Sequence, residues 1–170
     1  MLDADLIRQL FHELNDALKK MDVIGEIGIC GGAVMALVYN ARQATKDVDG
    51  IFKPTKEIRA ACVMVADKHG IPHDWLNDAA KAFFGVDPPR QEVMDFSNLR
   101  VWAPTGEYML AMKCVSARFD TSDRDDVFFL IKHLGLKTPK QVFEIISKYY
   151  PRQGIPPKAQ FLVEELMEEG

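Results

Sequence analysis

The stretch Gly25 to Phe52, GEIGICGGAVMALVYNARQATKDVDGIF, decides how this chain is read. Glu26 to Cys30 is a short apolar run of strand character, and it leads into the pair Gly31-Gly32, which reads as a turn. Ala33 to Tyr39 is small and apolar and predicts a helix; Val48 to Phe52 predicts the next strand. Two carboxylates, Asp47 and Asp49, flank Val48 there. In extended backbone, residues i and i+2 face the same side with Cα atoms roughly 6.6 Å apart, so the two acids point together while Val48 points inward. Like charges held that close repel, and a divalent cation relieves the repulsion; oxygen ligands hold Mg²⁺ at about 2.0–2.1 Å. A turn without Cβ atoms between strand and helix lets backbone N–H groups approach phosphate oxygens. Phosphate and metal are therefore expected to meet at the ends of neighbouring strands.

Outward from this stretch, the chain has 170 residues, enough for one domain or a small core with an appended helical lobe. With 48% hydrophobic and 27% charged residues, it has the composition of a globular protein and not of a disordered or fibrous one. Apolar runs are short, and the first twenty residues carry Asp3, Asp5, Arg8, Glu13 and Asp16, so neither a membrane span nor a secretory leader is expected, and the expected location is cytoplasmic. Cys30, Cys62 and Cys114 are isolated and odd in number, which points away from disulfides and zinc and toward small core residues. A net charge of -4 gives the surface as a whole no attraction for nucleic acid, while leaving room for local patches.

In residues 3–21, Leu6, Leu10, Leu14 and Leu18 recur every fourth position, with acids early and lysines late, as in an amphipathic cover helix. Residues 55–69 predict a helix closed by Gly70; IPHDWLNDAAKAFFG predicts a loop and a short helix; NLRVWAP predicts a strand stopped by Pro104. Strands and helices alternate up to this point, so an α/β or α+β layer with a small mixed sheet is expected over 1–103. From 104 to 170 the pattern is helical, with Thr105, Ser122 and Thr138 placed as N-caps, which predicts an all-helical C-terminal lobe.

Two other readings compete for the D-x-D: a solvated turn at a strand edge, and a dinucleotide-binding βαβ unit. The second needs G-x-G-x-x-G and one ribose-binding acid, whereas Gly28, Gly31 and Gly32 do not make that pattern and the acids come as a pair.

The Gly-Gly pair, fourteen intervening residues and D-V-D resemble the nucleotidyltransferase superfamily. Arg42 and Thr45 in ARQATKDVD, the helix LAMKCVSARFDTSDRDDV and the segment DWLN, Asp74 to Asn77, are similar to the AbiEii-like group within it, over about residues 20–150. The resemblance implies a nucleotidyltransferase-like core, transfer of a nucleotide from an NTP with Mg²⁺ (or Mn²⁺), and an acceptor that in some members is transfer RNA. It also implies the toxin of a toxin–antitoxin or phage-defence pair, hence a cognate antitoxin protein as a possible partner. By resemblance Gly31 and Gly32 hold nucleotide phosphates and Asp47 and Asp49 hold the metal. Arg42 and Thr45 line the same nucleotide site, and Lys113 is the family lysine that pairs with the triphosphate. Arg118 would brace that anion or form a salt bridge with Asp123 or Asp126, and DRDD allows Asp123 with Asp126, or Asp125, as the matching acids. Lys113 also reads as an ordinary surface lysine.

Many active members carry a third carboxylate on a later strand. NLRVWAP offers Arg100 and Trp102 there and no acid; Asp95 is expected outside the strand, and Asp74 or Asp78 could contribute only from a loop. A non-catalytic nucleotidyltransferase-fold binding module, or an antitoxin-like partner protein, is therefore the alternative to the enzyme. His12, His69, His73 and His133 have no metal-ligand spacing. Finally, residues 130–160 carry Lys132, Lys137, Lys140, Lys148, Arg152 and Lys158 against the single acid Glu144, with Tyr149-Tyr150 interleaved. Solvated helix faces explain this, as does a basic patch for an RNA acceptor whose terminal base stacks on the tyrosines.

Overall fold

The leucine spacing of residues 3–21 produces helix α1 (Ala4–Lys20), which buries Ile7, Leu10, Phe11, Leu14 and Leu18. Asp3 caps it, its carboxylate accepting from the Leu6 N–H at 2.8 Å, which satisfies one of the orphan donors of the first turn. The computed structural model describes residues 1–85, 87–116 and 121–169. Among these it shows a mixed α/β architecture with one five-stranded mixed sheet and seven α-helices. Contacts divide the chain into two compact units, Met1–Ala82 with Arg90–Pro104, and Phe83–Pro89 with Thr105–Gly170.

The first unit holds the sheet, built from β2 (Gly25–Cys30), β4 (Val48–Lys53), β5 (Leu76–Asn77), β6 (Arg90–Asp95) and β7 (Leu99–Pro104) in the order β5-β4-β2-β7-β6. β4 runs antiparallel to β2, β7 parallel to β2, β5 parallel to β4, and β6 antiparallel to β7. A separate two-residue ladder joins β1 (Leu2–Asp3) to β3 (Ala44–Thr45). Alternation along β2 and β4 puts Ile27, Ile29 and Val48 on the face that meets α1 and α3 (Thr55–His69), all three fully buried, and puts Cys30 and Asp49 on the other face. α3 matches the predicted 55–69, and Gly70 closes it in the left-handed region at φ 63°.

Four local expectations change. Gly31-Gly32 are not a turn ahead of the helix: α2 spans Gly31–Leu37, so the glycines form its first turn and Tyr39 lies past its end. Asp47 sits in the bend before β4 and not within the strand. Asp95 lies outside the NLRVWAP strand as expected, but it ends β6, a strand that RQEVMD does not announce because its side chains are mostly polar and a bulge between Glu92 and Met94 interrupts the alternation. DWLN contributes β5, too short to show any period.

The second unit contains α4 (Gly106–Val115), α5 (Thr121–His133), α6 (Pro139–Tyr149) and α7 (Pro157–Glu169). Thr105 occupies the N-cap position of α4, and Thr138 caps α6 in a capping box with Gln141. Ser122 lies inside the first turn of α5 and is not its cap. The segment 83–89 is tied to this unit by tyrosines: the Gly85 N–H donates to the Tyr108 hydroxyl at 2.6 Å, and the Tyr150 hydroxyl donates to the Phe83 carbonyl. Among the described residues no helix is long and apolar enough to cross a membrane.

Candidate functional site

The glycine pair and the acids converge in the first unit because β2 and β4 are antiparallel. The register places Cys30 opposite Asp49, so Gly31, which follows β2, meets the second residue of β4. Gly31 has φ +65°, and a Cβ there would lie 3.2 Å from Asp49 Oδ2. Gly32 is tighter: its Cβ would lie 2.4 Å from Arg42 Nη1 and 2.5 Å from Thr45 Oγ1. The absence of a side chain at Gly32 is thus what admits the Arg42 guanidinium and the Thr45 hydroxyl to the backbone of α2. Thr45 is buried and its hydroxyl donates to the Asp47 carbonyl at 3.2 Å. Asp47 and Asp49 are half-buried while Val48 between them is fully buried. Gly31, Gly32, Arg42, Thr45, Asp47 and Asp49 therefore occupy one corner of the sheet.

That corner also excludes the dinucleotide-binding rival. A βαβ unit requires parallel strands joined by a crossover helix, and β2 and β4 are antiparallel. It adds one residue that sequence reasoning did not single out. Asn77 pairs with Asp49 across β5 and β4, and its side-chain oxygen accepts from the Ala79 N–H at 3.1 Å. The signal was in DWLN, but nothing in one sequence says that this segment pairs with the D-x-D strand.

In the second unit Lys113 is not a surface lysine. Its side chain is 8% exposed, and its ammonium lies 2.8 Å from Asp126 Oδ2 and 3.2 Å from Asp123 Oδ1. Of the two options within DRDD, Asp123 and Asp126 turn toward Lys113, and Asp125 is exposed. These aspartates face a cation of their own chain, which suits them to hold the lysine better than to touch an anionic nucleotide. Arg118 lies outside the described residues.

Two of the three other carboxylates weighed for a third acid have cations of their own. Asp95 pairs with Arg100 at 3.5 Å and Asp78 with Arg59 at 3.1 Å, while Asp74 is exposed. Among the described residues there is no group of three or more His, Cys, Asp and Glu side chains placed to hold a metal ion. The Asp47 and Asp49 carboxylates are oxygen donors of the kind that a hard divalent cation takes.

The six cations of the 130–160 segment are exposed, with Lys148 lying 3.8 Å from Glu107. Tyr150 is 9% exposed, its ring beside Tyr108 and its hydroxyl on Phe83, so it is not available to stack on a nucleic-acid base. Tyr149 is half-buried edge-on against Tyr108. Comparison with protein-family models, with curated proteins and with solved structures found no match for this chain.

Proposed function

We propose that the chain is a Mg²⁺-dependent nucleotidyltransferase that moves a nucleoside monophosphate from an NTP to an RNA acceptor, transfer RNA among them, or to a protein, as the toxin of a toxin–antitoxin or phage-defence pair. The observation that carries the reading is the convergence of Asp49 on Gly31 and of Arg42 and Thr45 on Gly32. In the reaction the acceptor's hydroxyl oxygen bonds to the α-phosphorus and gives its proton to water, the bond from that phosphorus to the α–β bridging oxygen breaks, and pyrophosphate leaves. Arg42 supplies a fixed fork of N–H donors to the phosphates. Thr45 holds Asp47 through its backbone carbonyl. Asp47 and Asp49 would hold Mg²⁺, which when bound neutralises phosphate charge. By resemblance Lys113 is the family lysine that pairs with the triphosphate, and Asp123 and Asp126 hold its ammonium. The exposed lysines of 130–160 receive the acceptor's phosphates.

A second reading, a nucleotidyltransferase-fold module that binds a nucleotide or a cognate protein without turnover, rests on a specific observation. Two aspartates already neutralise Lys113, and Asp95 and Asp78 are engaged by arginines. The two readings separate on one experiment, in which protein, Mg²⁺ and each α-labelled NTP are incubated with total RNA and cell extract. The enzyme labels RNA or protein, and the Asp47→Asn, Asp49→Asn double variant does not. NTP-dependent thermal stabilisation without label in any macromolecule selects the binding module. The absence of both label and stabilisation removes the enzyme and the nucleotide-binding module, and leaves the module that binds a cognate protein.

A further inference from the structure

We infer that the short ladder between Leu2-Asp3 and Ala44-Thr45 is a brace that holds the nucleotide loop in register, and that Leu2 is a positioning residue for the site; this rests on the nucleotidyltransferase reading. Residues 40–47 carry Arg42, Thr45 and Asp47, yet only Ala44 and Thr45 of this stretch have strand pairing, and they pair with β1 and not with the five-stranded sheet. Leu2 stands opposite Thr45 and is 4% exposed, so the strand that grips the loop is anchored by a buried apolar side chain. Asp3 stands opposite Ala44, and its carboxylate caps α1 at Leu6 N–H, so the ladder is tied to a helix whose apolar face is fully buried. From Thr45 the connection runs two ways: through its hydroxyl to the Asp47 carbonyl, and through its close approach to Gly32. The chain of contacts α1, Asp3, β1, Thr45, Asp47 therefore fixes a loop that otherwise has little regular structure to hold it.

The test compares wild type with Leu2→Ser, Leu2→Ile and Val65→Ala, the last removing buried volume from α3. Amide exchange is measured across residues 42–49 without ligand, and Mg²⁺ with each of the four NTPs is titrated for binding. Leu2→Ser is expected to speed exchange at Ala44 and Thr45 at least tenfold and to weaken NTP binding at least tenfold. Leu2→Ile restores both, and Val65→Ala, although it lowers the melting temperature, changes neither. Unchanged exchange in Leu2→Ser overturns the brace, as does a loss of NTP binding that Val65→Ala matches. If wild type binds no NTP, the nucleotidyltransferase reading falls, and the exchange measurement still decides whether the ladder holds the loop.

Discussion

The Lys113 ammonium lies 2.8 Å from Asp126 Oδ2, and the two side chains are only 8% and 4% exposed. Asp123 joins them at 3.2 Å from the same α5, so one cation on α4 is held by two acids one turn apart. Removing one partner of such a pair leaves an uncompensated buried charge and costs about 3–5 kcal/mol, whereas an apolar pair of similar volume is often neutral. With Asp123 still 3.2 Å from the ammonium, Asp126→Ala should lower the unfolding free energy by no more than that amount, read as a fall in the urea midpoint at constant m, and Lys113→Met with Asp126→Leu should recover most of it. A wild-type midpoint in Asp126→Ala would show that the pair does not hold α4 to α5. Lys113→Ala is for the same reason a poor probe of chemistry, since it takes the cation away from two aspartates; Lys113→Met with Asp126→Leu separates charge from fold.

Desolvation pushes the Cys62 thiol up from 9.0 to about 12, against a small lowering by Arg59, and the Cys114 thiol likewise to about 12, against Lys113. A group whose pKa is raised on folding contributes stability that is complete below its unfolded value and is lost as pH climbs toward the folded one. Stability should therefore decline between about pH 9 and 12 as the unfolded thiols ionise and the buried ones do not. A thiol-alkylating reagent at pH 8 should leave Cys62 and Cys114 unmodified in the native protein and label both in urea, read by peptide mass. Fast native labelling at either would contradict the burial.

How much of this was legible in the sequence depended on where each signal resides. Within Gly25–Cys30, residues 27–30 announce a strand because they are buried on both faces and read as an apolar run, and residues 55–69 announce a helix by their apolar spacing. β6 is an edge strand with a bulge, so its solvent-side polar residues mask the period. The proximity of Gly32, Arg42 and Thr45 cannot be read from spacing, because it depends on the loop folding back onto α2. The partner of Lys113 is tertiary as well: Asp123 and Asp126 lie on the next helix, ten and thirteen residues on, where neither the i,i+3 nor the i,i+4 rule reaches.

Glu13 joins α1 to α3. Its carboxylate accepts from Lys68 Nζ at 2.7 Å and meets His69 Nε2 in a shorter contact. Partial burial alone would raise its pKa, but hydrogen bonds from Lys68 and His69, with their charges, outweigh that and leave it below the ordinary 4.5. A carboxylate depressed on folding contributes stability present above its unfolded value and lost as pH falls through the folded one. Glu13→Gln should therefore cost about 1 kcal/mol at neutral pH, the upper end for partly exposed pairs, and the gap to wild type should close below pH 4.5. Thermal melts across pH 3 to 7 check this, and a gap that stays constant would mean that Glu13 contributes shape and not charge.

At Gly32 the site and the fold can be tested together. A methyl group there would meet the end of Arg42, a flexible side chain that can swing away, but also Thr45, whose Oγ1 and Cβ would lie 2.5 and 3.1 Å off and whose backbone is pinned in β3. Arg42 yields cheaply and Thr45 does not, so Gly32→Ala should cost about 1–3 kcal/mol, the usual penalty for overpacking. Thr45→Ala removes the 2.5 Å clash and keeps the 3.1 Å one, so the double variant should recover part of the loss, with a coupling above about 0.5 kcal/mol in a double-mutant cycle. The same displacement drives Arg42 from its place beside Gly32 and shifts Thr45, whose hydroxyl holds the Asp47 carbonyl, so Mg²⁺ with NTP should no longer raise the melting temperature of Gly32→Ala, even at a temperature where the variant is fully folded. Stabilisation by NTP equal to wild type, in a variant that has paid the stability cost, would place the nucleotide away from this corner of the sheet.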